Sequence, residues 1–119
     1  MEIPIFLQIS QFIEDEIMSG ALSSHDKVPS MNEFARNMEV NPATAGKGLN
    51  ALVVKGVLYK KRGVGMFVTP EAKDIITQER RQHFIEQSVP AFVKEGRALS
   101  LNDEELSQLI KEAYHATDS

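Results

Sequence analysis

The chain has 119 residues, 42% of them hydrophobic, no cysteine and a formal net charge of -4. That length suits one compact domain with a small appendage, and the lack of cysteine excludes disulfide frameworks and thiolate metal sites, so stability must come from apolar burial. No apolar run approaches the roughly 18 residues needed to cross a bilayer, and MEIPIFLQISQFIEDE lacks the segments of a secretory leader; no membrane partner and a cytoplasmic location are expected.

Charge is unevenly placed. Between Pro29 and Thr69 six cations face two acids, whereas from Glu71 to Ser119 six cations face ten acids. Because fields between exposed charges decay over about 10 Å at ordinary salt, the two segments are expected to meet different partners.

The first element is a helix from about Pro4 to Gly20. Ile5, Phe6, Ile9, Phe12, Ile13 and Ile17 recur at helical spacing. A turn-like stretch, SGALSSHDK, separates it from a second helix. There Ser30 and Glu33 form a capping box, and Met31, Phe34, Ala35 and Met38 are the residues expected inside. A few residues later Asn41 can cap a third helix, Pro42 suits its first position and Gly56 can end it. Its back collects Ala45, Gly48, Leu49, Leu52 and Val53; its front collects Ala43, Thr44, Lys47, Asn50 and Ala51.

VLYKK and MFVT flank RGVG, which reads as two short strands joined by a glycine-containing turn, with Lys60, Lys61 and Arg62 at the tip. Beyond Pro70 the chain reads as helical. Ile85, Val89, Phe92 and Val93 form one stripe, Pro90 is expected to bend or interrupt it, and Asn102 with Glu105 caps a last helix lined by Leu106, Leu109, Ile110 and Ala113. The fold class is therefore mainly α with a small β-hairpin (α+β). Residues 1–70 form a winged helix-turn-helix domain, and residues 71–119 a C-terminal helical dimerisation region.

This order of elements points to double-stranded DNA. A helix enters the major groove, and a cationic ribbon tip neutralises phosphate while Gly63 and Gly65 allow close backbone approach. Thr44 and Lys47 are the expected readers, Ala43 suits a thymine methyl, and Asn50 can reach a base or phosphate. Gly46 and Gly48 each cost a helix about 1 kcal/mol relative to alanine, a cost that close approach to DNA would explain.

Other chemistries fail on spacing. NPATAGKG lacks the first glycine and the final hydroxyl of a phosphate loop, and GVGMFV lacks the third glycine of a dinucleotide turn. His25, His83 and His115 show no ligand spacing, and the acids Glu14–Glu16 and Asp103–Glu105 read as helix-surface groups. No catalytic constellation, metal site or cofactor is expected.

The blocks PIFLQISQFIEDEIMSGAL, KVPSMNEFARNMEVNPATAGKGLNAL and KGVLYKKRGVGMFV together resemble the DNA-binding domain of the GntR family of bacterial transcription regulators. Over its full length the chain resembles the short YtrA-type branch. The resemblance implies DNA contact from Ser30 and its neighbours, from Asn41, Ala43, Thr44 and Lys47, and from Arg62, Gly63 and Gly65. Asn32 stands where the family usually has arginine, a departure that allows a shifted operator preference. Lys47 stands where arginine is frequent, which keeps the charge and gives up the fork.

The 49 residues from Glu71 onward are too few to bury an apolar stripe among themselves, so a homodimer is expected, joined through Ile85, Val89, Phe92, Val93, Leu106, Leu109 and Ile110. Two-fold pairing matches an operator of inverted half-sites. The short branch lacks the large effector domain of other members, so no deep ligand pocket is implied and any effector is unknown. The expected function is a sequence-specific DNA-binding regulator, acting as a repressor. The alternative is a winged-helix protein-interaction module whose acidic C-terminal helices supply the contact.

Overall fold

The computed structural model describes residues 3–116. They fall in two compact units, Met1–Glu79 and Arg80–Ser119.

In the first unit, helix α1 spans Ile5–Ser19 and ends on Gly20 in the left-handed conformation, at φ 88°. Ile9, Ile13 and Ile17 repeat every four residues and are buried, which fixes the face that α1 turns inward. Helix α2 covers Met31–Met38 and begins with the full capping box: the Glu33 amide donates to Ser30 Oγ at 3.1 Å, and the Ser30 amide donates to Glu33 Oε1 at 3.2 Å. Of the four residues expected inside, Phe34 alone is fully buried, whereas Met31 and Met38 are 47% and 42% exposed. A helix of only two turns meets the core at one position, so its outer methionines remain in solvent.

Helix α3 spans Pro42–Lys55. Asn41 Oδ1 accepts from the Ala43 amide at 2.8 Å, and Gly56, at φ 85°, closes the helix. Ala45, Gly46, Gly48, Leu49 and Leu52 are buried along its back, each large apolar one contributing on the order of 1.5–3 kcal/mol by leaving water. A Cβ at Gly48 would stand 2.6 Å from the Phe6 carbonyl oxygen of α1. Ser10 Oγ donates to the Gly48 carbonyl at 2.7 Å, at the same crossing. Gly46 is likewise turned inward, toward Met31 Sδ. Gly48 thus serves the packing of the protein against itself, which replaces the expectation that DNA approach explains it.

Strands β1 (Leu58–Lys61) and β2 (Gly65–Val68) form an antiparallel hairpin with Leu58 opposite Val68 and Lys61 opposite Gly65. The free edge of β2 is covered by residues 25–28: the Val28 amide donates to the Met66 carbonyl and the Val68 amide to the Asp26 carbonyl, both at 3.0 Å. Helix α4 (Ala72–His83) begins beyond Pro70, and its Ala72 and Ile76 are buried in the same core as α1 and α3. The first unit consequently reaches Glu79 rather than stopping at residue 70.

One acid departs from its expected surface position. Glu14 is only 4% exposed, and its Oε2 lies 3.5 Å from the Lys55 ammonium, which also donates to Glu79 Oε1 at 2.6 Å. Burial disfavours the charge on Lys55, but the Glu79 hydrogen bond and the two nearby carboxylates outweigh it and hold its pKa above the ordinary 10.5.

In the second unit a widened turn, Phe84–Ser88, precedes helix α5 (Val89–Ala98), and the Val89 amide reaches back five residues to the Phe84 carbonyl. Pro90 has no amide to offer the carbonyl four residues earlier, so the changeover falls where proline was expected to interrupt the helix. Helix α6 (Asp103–Ala116) starts with the second capping box: the Glu105 amide donates to Asn102 Oδ1 at 2.8 Å, and the Asn102 amide to Glu105 Oε1 at 3.1 Å. Leu106 packs on Gly96, where a Cβ would lie 2.8 Å from Leu106 Cδ2.

Two stability measurements test this packing. Helix propensity alone makes Gly48→Ala stabilising by about 1 kcal/mol; overpacking against the Phe6 backbone instead predicts a net loss of about 1–3 kcal/mol in denaturant unfolding. For Lys55, a raised folded pKa means its contribution is complete below 10.5 and lost as pH climbs through the higher folded value. The stability difference between wild type and Lys55→Met is therefore constant through neutral pH and shrinks above 10.5.

Candidate nucleic-acid interface

The front of α3 faces solvent: Asn41, Ala43, Lys47 and Asn50 are exposed and Thr44 is half-buried. This follows from the back of the same helix, where Ala45, Leu49 and Leu52 carry the core contacts. Asn41 is partly committed already, because its side-chain oxygen holds the Ala43 amide.

The hairpin tip meets α3 at one residue of this front, Asn50. Lys60, Lys61, Arg62, Gly63 and Gly65 line a cleft of 490 Å³ together with Ser30 at the start of α2 and Gly46, Leu49 and Asn50 of α3. Asn50 follows Lys47 by three residues and shares its helix face. The start of α2, the hairpin tip and the side of α3 that carries Gly46, Leu49 and Asn50 therefore border one cleft, which the front of α3 joins at Asn50. Asn32, Asn41, Ala43, Thr44 and Lys47 lie outside the cleft's lining, with Asn32 exposed on the first turn of α2.

The turn geometry explains why this tip can approach another molecule. Gly63 has φ 75° and Gly65 φ 145°, and nothing lies within 4 Å of where a Gly63 Cβ would stand. Gly65 is shaped by the protein instead, since its Cβ would meet Lys27 Cε at 2.8 Å.

Lys27 was missed from the sequence. It lines the cleft beside the other cations, and its partner strand register, opposite Phe67, sets it there. The HDKVP context gives no periodic signal, because a single bridge to β2 is a long-range pairing. Lys27 and Arg36 also contribute to the lowered pKa of Glu33, although the capping hydrogen bonds from the Ser30 amide and hydroxyl come first.

The outer face of the hairpin carries an aromatic ladder. Tyr59 stacks on Phe67 with centroids 5.6 Å apart, Tyr59 Oη and His25 Nδ1 are hydrogen-bonded at 2.8 Å, and the Lys61 ammonium sits 5.5 Å from the Phe67 ring centre. His25 is thus a structural residue of the ribbon. Among the described residues no group of His, Asp and Glu has the arrangement to hold a metal ion, and no helix is long and apolar enough to cross a membrane.

In the second unit Val89, Phe92, Val93, Leu106 and Ile110 line a groove of 620 Å³ between α5 and α6. Phe92, Val93 and Ile110 remain 44%, 39% and 51% exposed, and Ile85 and Leu109 stand outside the groove at 54% and 47%. Leu106 differs from the rest: at 7% exposure on Gly96 it is spent inside its own unit.

This geometry has counterparts among known proteins. The chain is 32% identical over 108 residues to the uncharacterized HTH-type transcriptional regulator YhcF of Bacillus subtilis strain 168, covering 91% of this chain and 88% of that one. It is 28% identical over 109 residues to the HTH-type transcriptional repressor YtrA of the same organism, covering 92% and 83%. A GntR-family crystal structure from Bacteroides thetaiotaomicron superposes with a TM-score of 0.79 at 29% identity, over 95% of this chain and 98% of that one. The DNA-binding domain of AraR, solved in complex with its operator ORE1, superposes with a TM-score of 0.56 at 30% identity, over 58% of this chain and 84% of that one. Residues 6–68, more than half of the chain, match the family described as bacterial regulatory proteins, gntR family. With a winged helix in its first unit and relatives of nearly equal length, the chain belongs to the GntR family of transcriptional regulators and to its short YtrA-type branch.

Proposed function

We propose that the protein is a sequence-specific repressor that binds an inverted-repeat operator as a homodimer. The observation that carries this reading is the shared surface of α3 and the hairpin tip, where Asn50, Lys60, Lys61, Arg62, Gly63 and Gly65 border one cleft. A helix front of small and polar residues fits the major groove, whose width of about 12 Å accepts a helix. Lys47 and Thr44 then read base edges, with Ala43 available to a thymine methyl. Ser30, Asn32 and Asn41 contact the flanking backbone through side chains or amides at helix starts. Lys27, Lys60, Lys61 and Arg62 neutralise phosphates beside the helix. The operator complex of the AraR domain and the repressor name of YtrA support this direction.

The dimer reading rests on the second unit. Ile85, Val89, Phe92, Val93, Leu109 and Ile110 leave too much apolar surface on so small a unit for a stable monomer, and a second copy is the natural cover. The domain roles follow: the winged helix binds DNA, and the C-terminal helices pair the protomers.

One binding experiment tests the reading. A duplex selected by the protein from a random pool is titrated at several salt concentrations, and the stoichiometry of the complex is read by sedimentation. The expected result is two chains per duplex and log affinity falling linearly with log salt, by about 0.9 for each neutralised phosphate. Arg62→Ala lowers that slope by about 1, and Lys47→Ala costs about 1–3 kcal/mol at the base it reads. A flat salt response, or retention of the duplex by either variant at wild-type strength, refutes the assignment.

A further inference from the structure

The Lys47 ammonium lies 4.1 Å from the centre of the Phe6 ring. Phe6 belongs to the first turn of α1, outside the helix-turn-helix, and the glycine crossing described above is what brings it there: with no Cβ at Gly48, the Phe6 backbone sits directly against α3 one residue from Lys47. The Ser10 hydroxyl is within hydrogen-bonding distance of both the Phe6 carbonyl, at 3.3 Å, and the Gly48 carbonyl, at 2.7 Å, and so ties the two backbones together. The ring is half-buried while the lysine is exposed, so the aromatic partner is fixed by the protein and the cation remains open to solvent.

We propose that Phe6 is a positioning residue for DNA reading, acting through Lys47; the proposal rests on the DNA-binding function put forward above. A lysine is a compact charge on a flexible four-carbon stem and has no planar fork to define its direction. Attraction to the face of a fixed ring narrows the directions the ammonium samples, and the conformational freedom lost on docking is correspondingly smaller. The aromatic residue of α1 thereby sharpens discrimination between duplexes without touching the duplex itself.

The test uses the full chain, the selected duplex and a mismatched duplex at fixed salt, with Phe6→Leu, Phe6→Tyr, Lys47→Met and the Phe6→Leu/Lys47→Met double variant. Phe6→Leu is expected to weaken binding to the selected duplex by about two- to five-fold and to leave the mismatched duplex unchanged. Phe6→Tyr retains wild-type affinity, and in the Lys47→Met background the leucine change has no effect. Proton NMR of the free protein supplies a reading independent of DNA: the Lys47 ε-methylene resonance lies upfield of the other lysines through the ring current and returns to their range in Phe6→Leu. An equal loss from Phe6→Leu with and without Lys47, no loss at all, or an unshifted methylene in the wild type overturns the positioning role. If no duplex is retained with a salt-dependent affinity, the DNA-binding function itself falls, and the positioning role falls with it even where the methylene is shifted.

Discussion

The contact between α1 and α3 at Gly48 is the constraint on which the rest of the first unit depends. Two helices can cross with backbone against side-chain stub only where one of them has no Cβ, and here the carbonyl of Phe6 occupies that space. Once the crossing is set, Ile9 and Ile13 pack on Leu49 and Leu52 in one core, and the opposite side of α3 has no choice but to face water. The readable front of the helix is thus a consequence of how its back is buried.

The hairpin is held to that same frame from two directions. Val57 and Leu58 lead from α3 into the core, and Val68 returns to it, so both feet of the ribbon are anchored while its tip is free. Residues 25–28 add a third edge and bring Lys27 into the cationic rim. At the other end of the unit, the Lys55 ammonium sits between Glu14 and Glu79, fastening the end of α3 to α1 and α4. A buried carboxylate is tolerable there because a lysine faces it, although such a pair adds definition to the packing more reliably than it adds stability.

Much of this was legible in the residues. Pro4 and Gly20 bracket α1, Ser30 with Glu33 and Asn102 with Glu105 form both expected capping boxes, and the RGVG turn joins the two expected strands. These are local signals, each written within a few residues of where it acts. What escaped depends on distant partners. The burial of Glu14 needs Lys55, the role of Gly48 needs Phe6, and the place of Lys27 needs Phe67. Leu106 shares its apolar helical stripe with Leu109 and Ile110, and its seat on Gly96 of the preceding helix has no signal in that stripe. Met31 and Met38 carried an inward pattern that a two-turn helix could not use. Of the candidate site, the hairpin cations and the α3 front were readable from the sequence, whereas the cleft that brings Asn50 beside those cations and Lys27 was not.

The central claim is that the α3 front, the start of α2 and the hairpin tip act as a single surface on one duplex. Amide chemical-shift mapping during titration with a selected duplex tests it most directly. The account predicts that Ser30, Asn32, Thr44, Lys47, Asn50 and residues Arg62 to Gly65 shift together along one binding curve. Shifts confined to residues 80–116, or a hairpin tip that responds while the front of α3 stays still, would contradict it.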